Sequence, residues 1–278
     1  MLSDIIWPDY YSRFQCIAGR CRHTCCLGWE IDIDKRSLAR FMSDNGVMSN
    51  ISNGHFILKK DGRCPYLNSS GLCNMIISKG EDYLCDICRL HPRFFIYRDG
   101  RTYGGIGLAC EEAARVILDS DTVFSFIGDF TVPGYILGYE RNGHDVPARV
   151  FGLWDKALRL EMRVAIFEGM ESLYNSWREV ISDISGAGPT EETEKEVILA
   201  NSRAFDNLVV YLLYRHEGNQ RLAMECAIFV ADMVAVGIEV HEAARMFSEE
   251  VEYSDSNMEM LEDLFGKCGE GYDVEFGR

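Results

Sequence analysis

The sequence predicts an α+β chain that is mostly α. A Cys-rich, turn-rich N-terminal module with short strands (residues 1–118) leads through a connecting segment (119–150) into an acidic α-helical bundle (151–278). Three observations predict this. Nine of the eleven cysteines fall between Cys16 and Cys110. Turn signals crowd the same stretch, at Asp44-Asn45-Gly46, Asn53-Gly54, Asp61-Gly62, Ser69-Ser70-Gly71 and Asp99-Gly100. Beyond about residue 120, apolar residues recur at spacings of three and four.

The elements follow in order. Ile31 and Ile33 alternate with acids like a short strand, and His55 to Leu58 and Phe94 to Tyr97 read as two more. Lys35 to Met42 reads as a helix, and Cys110 starts another that runs to Leu118. Leu153, Ala157, Leu160, Val164, Phe167, Met170, Tyr174, Trp177 and Ile181 form one stripe, which predicts a single long amphipathic helix. Ser185 to Pro189 reads as a loop. Thr190, followed by Glu191, Glu192 and Glu194, has the composition of a helix start. Val197, Ala200, Ala204, Leu208 and Leu212 continue as one apolar stripe. Leu222 to Val236 is apolar on all sides and therefore central. His241 to Glu250 and Asn257 to Phe265 are shorter helices. Arg141 to Pro147 is the best boundary loop, and the tail after Gly266 reads as loose.

Charge and composition exclude several classes. The chain carries a formal charge of −16, which divides into +2 over residues 1–118 and −18 over the remainder. Such an acidic surface repels phosphates, so no nucleic-acid partner is expected. The longest apolar run, Ala227 to Val240, is short and carries Asp232 and Glu239, so no membrane partner is expected either. The N-terminus has neither a basic start nor an apolar core, so a cytoplasmic location is expected.

In that compartment thiols stay reduced, and an odd total of eleven fits a closed disulfide framework poorly. The nine thiols therefore read as metal ligands. They are Cys16, Cys21, Cys25 and Cys26, spaced C-x4-C-x3-C-C; Cys64 and Cys73, spaced C-x8-C; Cys85 and Cys88, spaced C-x2-C; and Cys110 alone. Thiolates suit zinc and iron–sulfur clusters and suit magnesium or calcium poorly. Paired C-x2-C knuckles, the usual zinc signature, are absent. Cluster ligation tolerates more varied spacing.

These residues also carry a resemblance. Tyr11-x-Arg13-Phe14-x-Cys16, Cys21-x3-Cys25-Cys26-x2-Trp29-x-Ile31-x-Ile33-Asp34, Arg63-Cys64-Pro65-Tyr66-Leu67, Gly71-Leu72-Cys73, Tyr83-Leu84-Cys85-x2-Cys88-Arg89-x2-Pro92-Arg93 and Cys110-Glu111-Glu112-Ala113-Ala114-Arg115 resemble the flagellin lysine N-methylase family. That family sits within a wider group of Cys-rich, zinc- or iron-chelating proteins. The resemblance implies methyl transfer to a lysine ε-amine of a protein substrate such as flagellin. It also implies S-adenosylmethionine as donor and a [4Fe-4S] cluster in the Cys-rich module. The wider group's recurrent ligands correspond to Cys21, Cys25, Cys26, Cys64, Cys73 and Cys88, with Cys16, Cys85 and Cys110 next. The chain departs from the family pattern at Cys110-Glu111-Glu112, where Cys-Pro-Glu is usual, and at His91-Pro92-Arg93, where Tyr-Pro-Arg is usual.

Arg89 and Arg93, beside Cys88, are the candidates to meet the donor's amino-carboxylate; the alternative is that they pair with carboxylates of the protein. Tyr10, Tyr11, Tyr66 and Tyr97 are candidate channel residues for lysine, or packing residues. His91 is a nitrogen ligand or a packing residue. Trp29 shields a cluster from water or belongs to the core, and Cys226 reads as a buried side chain. Tyr103-Gly104-Gly105-Ile106-Gly107 lacks the β-α context of a nucleotide loop and reads as a tight turn. No residue stands out as a catalytic base. Two function classes follow: a lysine methylase, and a non-catalytic zinc- or iron-chelating structural or carrier protein.

Overall fold

The computed structural model describes residues 5–98, 100–121, 125–126 and 150–266. The Arg141 to Pro147 boundary, most of the connecting segment, Cys268 and the tail after Gly266 lie outside the described residues. The remainder is mostly helical with five short strands.

Strands β1 (Ile5–Ile6), β4 (Arg93–Arg98) and β5 (Arg101–Ile106) form one sheet in the order β1-β5-β4. β4 and β5 are antiparallel and β1 is parallel to β5. Strands β2 (Ile51–Ser52) and β3 (His55–Phe56) form a separate hairpin. Its two-residue turn is Asn53-Gly54, with φ of 52° and 87°, the pairing that matches strand twist. Ile31 and Ile33 are buried as their alternation predicts. They form no named strand: Asp32 makes one isolated bridge to His55, and backbone bonds Phe56 to Ile31 and Ile33 to Gly54 complete the contact.

The glycine run is a correction. Gly104 and Gly105 lie inside β5, neither in a nucleotide loop nor in a tight turn. Each is the place where an aromatic ring crosses the strand. A Cβ on Gly104 would stand 2.4 Å from Trp7 Cζ3, and one on Gly105 would stand 2.2 Å from Phe94 Cζ. Phe94 is the cross-strand partner of Gly105 and packs on Tyr211 and Tyr214. Gly105→Ala therefore overpacks a half-buried ring and should cost about 1–3 kcal/mol, measured by urea denaturation. A loss below about 0.5 kcal/mol, the range of neutral surface changes, would show that the ring has room to move.

The N-terminal helices are short: α1 (Lys35–Phe41), α2 (Asn45–Met48), α3 (Asn74–Lys79), α4 (Asp86–Leu90) and α5 (Glu111–Leu118). Asp34 caps α1 by accepting from the Ser37 N–H. The same carboxylate accepts from the Asp86 N–H at 2.9 Å, fixing α4 against α1.

The helical region holds α6 (Leu160–Glu168), α7 (Asn175–Ala187), α8 (Glu191–Ala200), α9 (Ser202–Arg215), α10 (Gln220–Ala235), α11 (Val240–Phe247) and α12 (Asp255–Phe265). The expected long helix from Leu153 to Ile181 is broken into a 3₁₀ turn (Trp154–Lys156), α6 and α7. The break after Gly169 is held by distant side chains. The Glu250 carboxylate accepts from the N–H groups of Leu173 and Tyr174, and the Asn257 amide oxygen accepts from that of Glu171. The stripe from Val197 to Leu212 is likewise two helices, parted at Asn201. The loop expected from Ser185 starts only at Gly188, which ends α7 in the left-handed conformation. Thr190 caps α8 as expected, accepting from the Thr193 N–H.

Burial separates two cores. The smaller gathers Ile31, Phe41, Phe56, Leu67, Met75 and Leu84, together with Cys64 and Cys85. The larger joins the three-stranded sheet and α5 to the helical region. Its centre is α10, where every residue from Leu222 to Met233 is buried, Cys226 included. Among the described residues no helix is long and apolar enough to cross a membrane.

Candidate metal centre

The described cysteines are all free thiols. Folding sorts the nine N-terminal ones into two neighbourhoods. Cys26, Cys64, Cys73, Cys85 and Cys88 all pack in the smaller core. The Cys64 N–H donates to the Cys26 carbonyl at 2.8 Å. An isolated bridge pairs Leu67 with Cys73. Cys73 sits at the start of α3, and Cys85 sits at the start of α4, which also contains Cys88. The Cys85 and Cys88 thiols hydrogen-bond, and Cys88 also feels Cys26 and Cys64. Burial pushes the Cys64 thiol up to about 11, with Cys26 and Cys73 adding to it. The Cys25 thiol, hydrogen-bonded to Cys26, brings Cys26 down to about 7 against burial, so its thiolate is accessible at neutral pH.

The second neighbourhood is at the seam between the two cores. Cys110 precedes α5 and packs on the larger core. Glu111 clamps the Cys21 loop to this helix. Its carboxylate accepts from the N–H groups of Arg22 and His23 at 2.8 and 3.2 Å, and the Cys21 thiol lies 3.6 Å away. Burial and the Glu111 charge push Cys21 up to about 12. Cys25 is raised chiefly by its bond to Cys26, with Cys110 and Cys16 also facing it. Burial raises Cys110, and the Cys16 charge adds to it. Cys16 and Cys25 are exposed at the surface. Among the described residues no three His, Cys, Asp or Glu side chains are already disposed to hold a metal ion. The thiols are neighbours, not a closed coordination shell. As a donor set they are all sulfur and unoxidised, the chemistry that suits a thiophilic metal.

Arg89 pairs with Asp86 at 2.8 Å. Arg93 donates from Nε to the Tyr11 hydroxyl at 2.8 Å and lies against the Tyr11 and Phe14 rings. Tyr11 itself stacks on Trp7 at 3.8 Å. Tyr10 is buried, the Tyr66 hydroxyl meets Asn50 and Val47, and Tyr97 is 77% exposed; these four tyrosines line no common channel. His91 packs beside the Trp29 and Tyr253 rings, which meet each other at 5.4 Å. Burial, and then Arg93, holds its imidazole down at about 4, so it is neutral at pH 7.

The helical region supplies residues that the sequence did not single out. Tyr253 donates to the Pro92 carbonyl at 3.1 Å and meets Trp29 edge-on. The Tyr174 hydroxyl donates to the Leu27 carbonyl at 2.7 Å, against Gly28. Arg215 lies over the Tyr253 ring and pairs with Glu252. No spacing in the sequence ties residues this far apart, and the one readable signal was Glu111, the departure from Cys-Pro-Glu.

No family model matches the chain, and no solved structure is similar to it. Curated proteins are. A lysine-N-methylase of Salmonella typhimurium is 29% identical over 132 residues, and one of Salmonella choleraesuis is 28% identical over 132 residues. Over that stretch the chain is similar to proteins named lysine-N-methylase. A flagellar biosynthetic protein FliU of Salmonella muenchen is 26% identical over 132 residues and is covered over 78% of its length. Each match takes in 42% of this chain. The chain spans only 33% of the length of the two lysine N-methylases.

Proposed function

We propose that this chain is an iron–sulfur-dependent protein lysine N-methylase with a flagellin-like substrate and S-adenosylmethionine as donor. The observation that carries it is a reservoir of nine free, neighbouring thiols in a relative of lysine N-methylases. The cluster's thiolate ligands would be drawn from Cys21, Cys25, Cys26, Cys64, Cys73 and Cys88, with Cys16, Cys85 and Cys110 next. When bound, it would supply iron sites able to grip the donor's amino-carboxylate. Transfer needs a lysine amine with a free lone pair; the nitrogen takes the methyl group, the donor's carbon–sulfur bond breaks, and the amine proton leaves. A neutral amine is favoured where polarity is low, and Trp29, His91 and Tyr253 form a half-buried aromatic floor that faces Cys110. The acidic charge beyond residue 118 complements a basic, lysine-bearing partner.

Protein purified without air should be brown, contain iron and sulfide in equal amounts, and absorb broadly in the visible. Incubated with labelled donor and flagellin, it should then yield methyl-lysine. No transfer by cluster-loaded protein would leave the carrier reading, which the short overlap with the lysine N-methylases favours.

A further inference from the structure

We propose that the nine thiols serve two distinct thiophilic metal centres, one in the smaller core (Cys26, Cys64, Cys73, Cys85, Cys88) and one at the seam (Cys16, Cys21, Cys25, Cys110). This rests on the metal-binding part of the reading above and divides it.

Packing carries the division. The first five sulfurs belong to a core that contains no residue of the sheet, of α5 or of the helical region. Cys110 packs on the other core. The Glu111 clamp brings Cys21 to Cys110 across about ninety residues of chain, with Cys21 3.6 Å from the carboxylate that follows Cys110. In the smaller core, the Cys26–Cys64 backbone bond and the Leu67–Cys73 bridge close a separate loop. Electrostatic neighbours agree except at one point: Cys73 and Cys88 feel Cys26 and Cys85, and Cys21 feels Cys110, while Cys25 feels Cys26 first and then Cys110 and Cys16. The groups meet where Cys25 and Cys26, consecutive in the chain, share a hydrogen bond. The adjacent pair is thus the point at which the two groups touch, thiol to thiol. The count agrees. A tetrahedral zinc or a four-iron cluster takes four thiolates, and the groups hold four and five. Each group has a carboxylate beside it, Glu111 next to Cys21 and Asp34 facing Cys85.

The test uses the full chain purified anaerobically from cells, with metal and sulfide analysis and peptide mapping of each cysteine after iodoacetamide. In the wild type all four seam thiols and at least four of the other five should resist labelling. Cys64→Ser with Cys73→Ser should lose one centre's metal and expose only Cys26, Cys85 and Cys88. Cys16→Ser with Cys110→Ser should do the reverse, exposing Cys21 and Cys25 alone. Serine is a good residue at the start of a helix, so the second pair keeps α5 and decides the matter if the first pair misfolds. Loss of all metal and all protection in a folded pair variant would mean a single centre and overturn the proposal. So would a metal-loaded wild type in which one whole group is labelled. Either result leaves metal binding itself standing. A wild type that takes up neither metal nor sulfide overturns both readings together.

Discussion

Arg163→Met should destabilise the protein by about 3–5 kcal/mol, the cost of removing one partner from a buried ion pair. Arg163, Glu194 and Asp232 are 2%, 3% and 0% exposed. Arg163 donates to both Asp232 oxygens, at 3.1 and 3.2 Å, and to Glu194, while another of its N–H groups reaches the Leu158 carbonyl. It thereby ties α6, α8 and α10 together at one point. One guanidinium faces two carboxylates, so the group is short of positive charge. Burial holds the Asp232 carboxyl up at about 7; Arg163 opposes this and Glu194 adds to it. The sign for stability follows. An acid raised in the folded state binds its proton on folding, so this group's contribution falls as pH rises from the unfolded value of about 4 toward 7. Without Arg163 two acids remain buried side by side, and both must take up protons. Urea denaturation of wild type and variant at pH 7 measures the gap. A companion with Arg163→Met, Glu194→Leu and Asp232→Leu should recover most of the loss, because a buried ionic group replaced whole by apolar residues is often neutral. A gap below about 1 kcal/mol, the value of a surface pair, would mean that water reaches the triad.

That triad marks the limit of what the sequence discloses. Asp232 was readable only as an acid that spoils an apolar run. Its partner lies 69 residues away on another helix. Local signals were legible where the cause is local: the helix start at Thr190, the Asn53-Gly54 turn and the all-round apolar α10 each appear as written. The breaks at Gly169–Tyr174 and Asn201 were not, because apolar spacing continues across them while the interruption at the first comes from Glu250 and Asn257. Gly104 and Gly105 were misread for the same reason, since the ring that demands Gly104 belongs to Trp7, nearly a hundred residues earlier. The site follows this rule. Nine thiols in one stretch are legible in the sequence, but their sorting into two neighbourhoods depends on chain crossings such as the Cys21 loop to Glu111. The aromatic floor from Tyr253 and the charges beneath it come from a region whose pattern shows only helices.

Those charges carry the second large effect. Glu252→Gln should cost about 3–5 kcal/mol at pH 7, although the side chain keeps its shape. The Glu252 side chain is fully buried and pairs with Arg215 at 3.2 Å and His216 at 2.9 Å. It also accepts from the Tyr211 hydroxyl at 2.9 Å and from Ser248. Burial alone would raise this carboxyl; Arg215, His216 and Ser248 overcome it and bring it down to about 2. The sign is opposite to that of Asp232. An acid depressed in the folded state contributes in full above its unfolded value of about 4.3, and the contribution is lost as pH falls from there toward 2. The amide can still meet the hydroxyls, but it leaves Arg215 buried against the Phe94 and Tyr253 rings without a counter-charge. Wild type and variant should therefore differ most at pH 7 and converge as the pH is lowered below about 4. A gap of the same size at pH 7 and pH 3 would show that shape and hydrogen bonding, not the carboxylate charge, hold Arg215 under Tyr253.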